Sequence, residues 1–453
     1  MHEGVRRPIF KAVNKMFLIY LPIHSPRCQY VFDKIFAADW GIAYRVTDDR
    51  EMFQDAPGPK LNYSPGRIAD EFFIKATPLL TETAIRDVIA PVAEIHELKV
   101  LFPCGGSCDL GFDIFSAVFF LLSRYEEYLP FTPDRFGRYP PDASVAARNH
   151  FLEIPLVDKW TDLLKTKLLE RFPSLECRAA AFNVVVTYDI DVAYKYRGRS
   201  RTRNVRSILK DLLQLNAANL RSRYQTLYRQ RQDPWDTYQV MKTTIESSRL
   251  AAVVFFLLGE YSRYNKNLEY QHPLMKRLVK EVVTYSQIGI HPSFNSSVET
   301  GQILLEKQRL EQLSGQKITK SRQHFLKFTL PGTYRALLEA GITEDYSMGY
   351  PYARGFRAGT SKPFYFYDLQ TDKATPLVIF PVCMMDGNFM DNRPVHRETI
   401  LGKIYDLIDE VQSVKGTFIP IWHNHTISNT AEYHEWKNIH DQMIDRLVGV
   451  LQR

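Results

Sequence analysis

Cysteine is scarce in this chain of 453 residues. There are five, Cys28, Cys104, Cys108, Cys177 and Cys383, an odd number at sparse spacing. That excludes a disulfide framework as the scaffold. Cys104-Gly-Gly-Ser-Cys108 has no second pair of thiols and makes a poor zinc site; it reads as structural, with a redox role as the lesser alternative. Long apolar runs are missing too. The stretch 114–122 falls short of the ~20 residues a membrane span requires. The apolar stretch 16–23 follows basic residues but is interrupted by Pro22, with no small-residue cleavage site after it. A core strand is expected there rather than a signal peptide, and a cytoplasmic location is the default expectation. Charge of one sign is weak, at net +7. The basic run from Lys195 to Lys210 reads as a solvated loop leading into a helix. No nucleic-acid motif accompanies it, so no nucleic-acid partner is expected. Internal repeats and low-complexity tracts are absent.

What remains is ordinary globular material. Hydrophobic residues make up 45% and charged residues 24% of the chain, enough to bury a large core. The length suits two or three domains. Residues 1–178 mix short apolar runs with Pro, Gly, Asp and Asn punctuation and predict a small α/β domain. It includes a buried helix over 112–128 and an amphipathic helix over 160–172. From 179 the pattern changes. Strands are predicted at 182–188, 250–258, 287–290, 345–348, 377–382 and 417–421, with a weak one near 318–322. Helices are predicted at 205–215, 234–247, 273–286, 298–313, 331–340, 397–414 and 432–451. Strands that alternate with helices in this way predict a β/α barrel over 179–453, closed or nearly so, with chemistry at the C-terminal ends of its strands.

The residues at those ends are chemically loaded. The first strand delivers Asp189-Ile190-Asp191. Residues two apart on an extended backbone face one side, and two close carboxylates need a cation or a shared proton. A divalent metal would satisfy the pair, with one carboxylate as ligand and the other held back as a base; two acids at a solvated strand end are the plain alternative. The third strand runs into His291-Pro292-Ser293-Phe294-Asn295. If Pro292 starts a helical turn, His291 and Asn295 share a face and both are candidate ligands. The last strand delivers His423, positioned to protonate a leaving amine, with capping as the alternative. Arg322, if beside the Asp pair, would orient one of its carboxylates, or else form a surface ion pair. The segment from Tyr346 through the Gly-rich Gly355-Phe-Arg357-Ala-Gly359 supplies Tyr346 and Arg357 as candidate substrate contacts. Asp386, at the end of the sixth strand, is a third.

In this order, TYDID at Asp189 and Asp191, HPSFN at His291, RQH at Arg322 and WHN at His423, the motifs resemble the polysaccharide deacetylase family, carbohydrate esterase family four. The resemblance covers about 182–453. It implies an α/β fold, a distorted (β/α)7 barrel here preceded by the smaller N-terminal α/β domain, and the layout is similar to that of a bacterial subgroup. It also implies a divalent metal, zinc for choice, and removal of acetyl groups from an N-acetylated glycan or other carbohydrate. By its motifs Asp189 is the base, Asp191 and His291 are metal ligands, Arg322 braces the base and His423 is the acid. Asn295 stands where the family has its second metal histidine. That departure keeps open a non-catalytic carbohydrate-binding protein. A D-x-D phosphatase is a further alternative, but it leaves His291 and His423 without a role.

Overall fold

The computed structural model describes residues 16–452, apart from 89, 298, 300 and 391–395. The first unit is a four-stranded parallel sheet in the order β2-β1-β3-β4, built from β1 (Phe17–Tyr20), β2 (Tyr44–Thr47), β3 (Lys60–Ser64) and β4 (Phe72–Lys75). The expected core strand near 16–23 is therefore β1, central in this sheet; the basic residues before it lie outside the described residues. An antiparallel hairpin follows, β5 (Val92–Ile95) and β6 (Leu98–Leu101). The helix Ile114–Leu122 is buried on every side. Its N-cap Asp113 accepts from the Ser116 N–H and, across the core, from the Thr77 N–H and the Tyr63 hydroxyl. The helix Leu156–Arg171 starts four residues earlier than the sequence pattern suggests. Cys104 and Cys108, at the two ends of the turn Gly105–Ser107, are joined by a disulfide that the sequence reading did not foresee. The turn folds back on itself and brings the two thiols together.

The second sheet holds β7 (Asn183–Ile190), β8 (Ala251–Phe256), β9 (Gln287–Ile290), β10 (Lys320–Ser321), β11 (Glu344–Asp345), β12 (Phe364–Asp368), β13 (Lys373–Ile379), β14 (Met384–Met385), β15 (Thr417–Phe418) and β16 (Pro420–His423). Its path is β12-β13-β11-β10-β9-β8-β7-β16-β14, with β15 also on β7. All pairings are parallel except β12 on β13. Each of the seven expected strands overlaps one of these. β12 and β14 were not foreseen, nor was the helix Ala217–Tyr228. Among the described residues the ladder is not a closed ring. Between β13 and β14 the chain changes neighbours: Phe380 and Val382 donate N–H to Asp345 and Met348, then Cys383 donates to Ile419. The sheet curls far enough that Val253, Phe255, Tyr346, Val382, Ile419 and Ile421 pack into a core of their own. Gly289 permits this, since a Cβ there would sit 2.5 Å from the Phe255 ring and 2.9 Å from the Lys320 carbonyl oxygen.

The Gly355–Gly359 loop was expected to contact sugar. Instead it fastens the two units together. Arg357 is buried and gives Nε and Nη2 to Glu127 at 2.9 and 2.6 Å, so it is not a substrate contact. Gly355 has φ +114°, and a Cβ there would lie 2.3 Å from the Leu152 carbonyl oxygen. Phe356 donates to that same oxygen, and Val157 donates to the Gly359 oxygen. Asp158 accepts from Thr360 and Ser361. No helix among the described residues is long and apolar enough to cross a membrane.

Candidate metal centre

Parallel register assembles the site. His423 on β16 and Phe255 on β8 both pair with Asp189 on β7, and Ser321 on β10 pairs with Ile290 on β9. Strands that run the same way release Asp189, Asp191, His291, Arg322 and His423 at one rim. Asp189 is buried. Its Oδ1 accepts from Arg322 Nη1 at 2.9 Å. Arg322 is fully buried, lies 4.5 Å from the centroid of the Phe255 ring, and gives Nε to the Tyr346 carbonyl oxygen. A charge-assisted hydrogen bond at this range fixes the direction of the carboxylate.

Asp191 stands between three imidazoles. Its Oδ1 is 3.1 Å from His291 Nε2, and its Oδ2 is 3.4 Å from His324 Nε2 and 3.6 Å from His423 Nε2. The tautomers follow from the other ring nitrogens. His291 Nδ1 faces the Arg322 carbonyl oxygen, which only accepts, so Nδ1 carries the proton. His324 Nδ1 faces Asn265 Oδ1, an oxygen also bonded by the Phe294 N–H, with the same consequence. In the neutral form both rings therefore turn Nε2 lone pairs toward Asp191. Lone pairs facing a carboxylate at 3.1 Å need a positive charge between them, either a proton or a cation. Asp191 Oδ1, Arg322 Nη2 and Gln323 Nε2 are buried with no hydrogen-bond partner among the described residues. Asp191, His291 and His324 offer ligand atoms that all lie within 4.8 Å of one another. Two imidazoles and one carboxylate, each histidine held through its second nitrogen, fit a divalent metal of the zinc type.

Burial opposes charge on Asp191, but His324 and His291 outweigh it and hold the carboxyl well below the usual range. Burial outweighs Asp191 and lowers the His324 pKa. Burial also opposes charge on His291, yet Asp189 and Asp191 raise its pKa overall, so a proton competes with a cation for this position. His423 belongs to a different corner. Its Nδ1 and backbone N–H both donate to Asp386, at 2.8 and 2.9 Å. Burial works against the imidazolium, but Asp386 overrides it and lifts the pKa to about 10. The cavity in front of these groups measures about 220 Å³ and is lined by Asp189, Asp191, His291, His324 and His423, together with Arg138 from the first unit.

A family described as "Family of unknown function (DUF7033)" matches residues 17–173. No curated protein matches the chain. Among solved structures the chain is similar to a candidate polysaccharide deacetylase from Mycobacterium smegmatis, at 12% identity over 60% of this chain and 85% of that one, with a TM-score of 0.40. It is also similar to a mutant of a CE4 family pseudoenzyme with restored enzymatic activity, at 10% identity over 59% of this chain and 62% of that one, with a TM-score of 0.30. At these scores neither likeness fixes the fold or the chemistry.

Four expected site residues need correction. Asn295 is exposed and does not line the cavity. The chain after Pro292 runs through an irregular turn instead of a helix, so the four-residue spacing does not bring Asn295 to the face of His291. His324, which sequence reasoning passed over, stands at the cation site. It lies two residues beyond Arg322, in the short turn that follows β10, and RQH carries the signal: a second imidazole at a strand end. Tyr346 is buried, gives its hydroxyl to Glu344 and packs its ring between Phe255 and Phe380, away from the cavity. Arg357 sits in the seam between the units. Asp386 is buried behind His423 and also accepts from the Thr426 hydroxyl, so it aims the imidazole and does not face a ligand.

Proposed function

We propose that the chain is a metal-dependent hydrolase that removes acetyl groups from an N-acetylated carbohydrate, with residues 179–453 as the catalytic domain and 1–178 as an accessory α/β domain. The observation that carries this reading is the pair of histidines whose Nδ1 protons are committed elsewhere, so that both Nε2 atoms converge on Asp191. Asp191, His291 and His324 would hold the ion, zinc by its ligand set. Such an ion supplies Lewis acidity, polarising a carbonyl and acidifying a water from a pKa of 15.7 toward about 7.

The chain's own residues do the rest. Asp189, held in direction by Arg322, takes the proton from the attacking water. His423, protonated at neutral pH through Asp386, delivers a proton to the amide nitrogen as the C–N bond breaks. Water is consumed, and acetate and a free amine leave. The case for a non-catalytic carbohydrate binder rests on Asn295; His324 beside Asp191 supports the catalytic reading. The test is acetate release from N-acetylglucosamine oligomers by the zinc-loaded protein, alongside its Asp189→Asn variant. The variant is expected to keep its metal and to lose about 10²–10⁴-fold in turnover. Equal turnover in parent and variant defeats the assignment of the base, and no acetate from either defeats the reaction class.

A further inference from the structure

Between β7 and β8 the chain makes a helical hairpin, Arg201–Leu213 and Ala217–Tyr228, whose polarity is inverted. The face turned inward is ionic. Arg223, buried, gives Nη2 to Asp211 at 2.7 Å and to Ser207 at 2.9 Å, and Nη1 to Asn204 at 3.3 Å. The face turned outward is apolar. Val205, Leu209 and Leu212 fall at helical spacing on one side of the first helix and are each more than half exposed. Leu213 and Leu215, at the tip, are 86% and 89% exposed, and Tyr228 is 72% exposed. Soluble surface helices have the opposite arrangement, and an apolar cluster of this kind marks a surface that is covered in use.

The charge around it names the cover. Residues 192–231 hold eleven Lys and Arg against one acid, Asp211, a net of +10 in a chain whose total is +7. Arg206 and Lys210 are exposed along one flank of the leucine stripe. An apolar stripe edged by cations is the chemistry of a helix that lies in the headgroup region of an anionic bilayer. We infer that this hairpin docks the protein on an anionic lipid surface, with the leucines entering the acyl boundary and the arginines pairing with headgroup phosphates. The hairpin is rooted at the rim of the metal centre. The N–H groups of Lys195, Tyr196 and Arg197 all donate to Asp233. Asn424, next to His423, gives Nδ2 to the carbonyl oxygens of Val192 and Trp235. Docking therefore holds the cavity close to the lipid.

Co-sedimentation of the full chain with vesicles tests this directly. The protein is expected to pellet with equal parts phosphatidylglycerol and phosphatidylcholine, to stay in the supernatant with phosphatidylcholine alone, and to release at high salt. Arg206→Glu with Lys210→Glu should weaken the partition at least tenfold, since each cation near the surface contributes about fivefold. Leu212→Asp with Leu213→Asp should abolish it while leaving the thermal midpoint unchanged, because both side chains face water. Three results overturn the inference. One is parent protein that stays in the supernatant with anionic vesicles. Another is a leucine variant that pellets like the parent. The third is concentration-dependent dimerisation, lost in the leucine variant and unaffected by lipid, which assigns this face to a second copy of the chain.

Discussion

Two buried ionic clusters in this molecule use the same residue types to opposite ends. In the seam between the units, Glu127 lies between Arg357 and Arg124, accepting from both at 2.6–2.9 Å. At the rim of the curled sheet, Asp189 lies against Arg322, and Asp191 against two histidines. The seam is closed on itself: its carboxylate meets guanidinium on each side, and the loop that carries Arg357 packs so tightly that Gly355 has no room for a side chain. The rim is left incomplete. Asp191 Oδ1 and Arg322 Nη2 are buried without hydrogen-bond partners among the described residues, and two lone pairs are aimed at a carboxylate. Burial of charge alone does not mark a site. Charge that is buried and still unsatisfied does, because a protein that needed only stability would have completed the set.

The strongest way to break this contrast is to remove the imidazole that completes the rim. His324→Ala should abolish stoichiometric zinc in the purified protein and, with it, on the order of a thousandfold or more of any hydrolytic turnover. The fold should persist, since the side chain faces a cavity. Metal content by mass spectrometry and the thermal midpoint read the two halves of this expectation separately. A variant that retains a full equivalent of zinc means that His324 is not a ligand.

The seam should respond in stability and in pH dependence instead. Burial pushes the Glu127 carboxyl up, but Arg357 and Arg124 outweigh it and hold its pKa below the ordinary value. A carboxylate depressed in the folded state stabilises the protein fully above its unfolded pKa of about 4.3. That stability drains away as pH falls through the folded value. Glu127→Gln should therefore cost about 3–5 kcal/mol at pH 7, because two guanidinium groups stay buried without their counter-charge. The gap between parent and variant should narrow as the solution is acidified below about pH 4. Urea midpoints at several pH values measure it, and a gap independent of pH removes the ionic explanation. Zinc content should stay at the parental level.

How much of this the sequence discloses depends on whether the information is local. Alternation of short apolar runs with helical periodicity marks seven strands of the large sheet, and placing acids and imidazoles at their C-terminal ends follows from one-dimensional reading alone. Asp189, Asp191, His291, Arg322 and His423 are legible for that reason. Arg357 is not, because its partner Glu127 is 230 residues away, and a glycine-rich loop looks alike whether it holds a sugar or a neighbouring domain. Tyr346 and Asp386 sit at the right height on the sheet but turn into it or behind His423, a matter of side-chain direction that spacing does not carry. β12 escapes notice because it pairs antiparallel with the strand that follows it, outside the alternation of strand and helix. β14 follows β13 with no helix between them, outside the same alternation. The helix Ala217–Tyr228 escapes because Tyr224 and Tyr228 face water while Arg223 faces in, the reverse of the pattern that identifies a helix.

Asn295 and His324 set the finest test of the comparison, and the smallest effect. Reading forward from His291 by one helical turn reaches Asn295; following the sheet to the next strand end reaches His324. The two routes make opposite predictions for a single side chain. If the ligand set is completed across strands, Asn295→Ala removes an exposed amide that does not line the cavity, and the stability change should lie within about 0.5 kcal/mol. Zinc affinity, measured by competition with a chromophoric chelator, should be unchanged. A loss of tenfold or more in that affinity would show the chain after Pro292 folding back on the metal as a helical turn. His324 would then be a neighbour of the site instead of a member. Local periodicity would have been the better guide to the centre than the parallel register of β9 and β10.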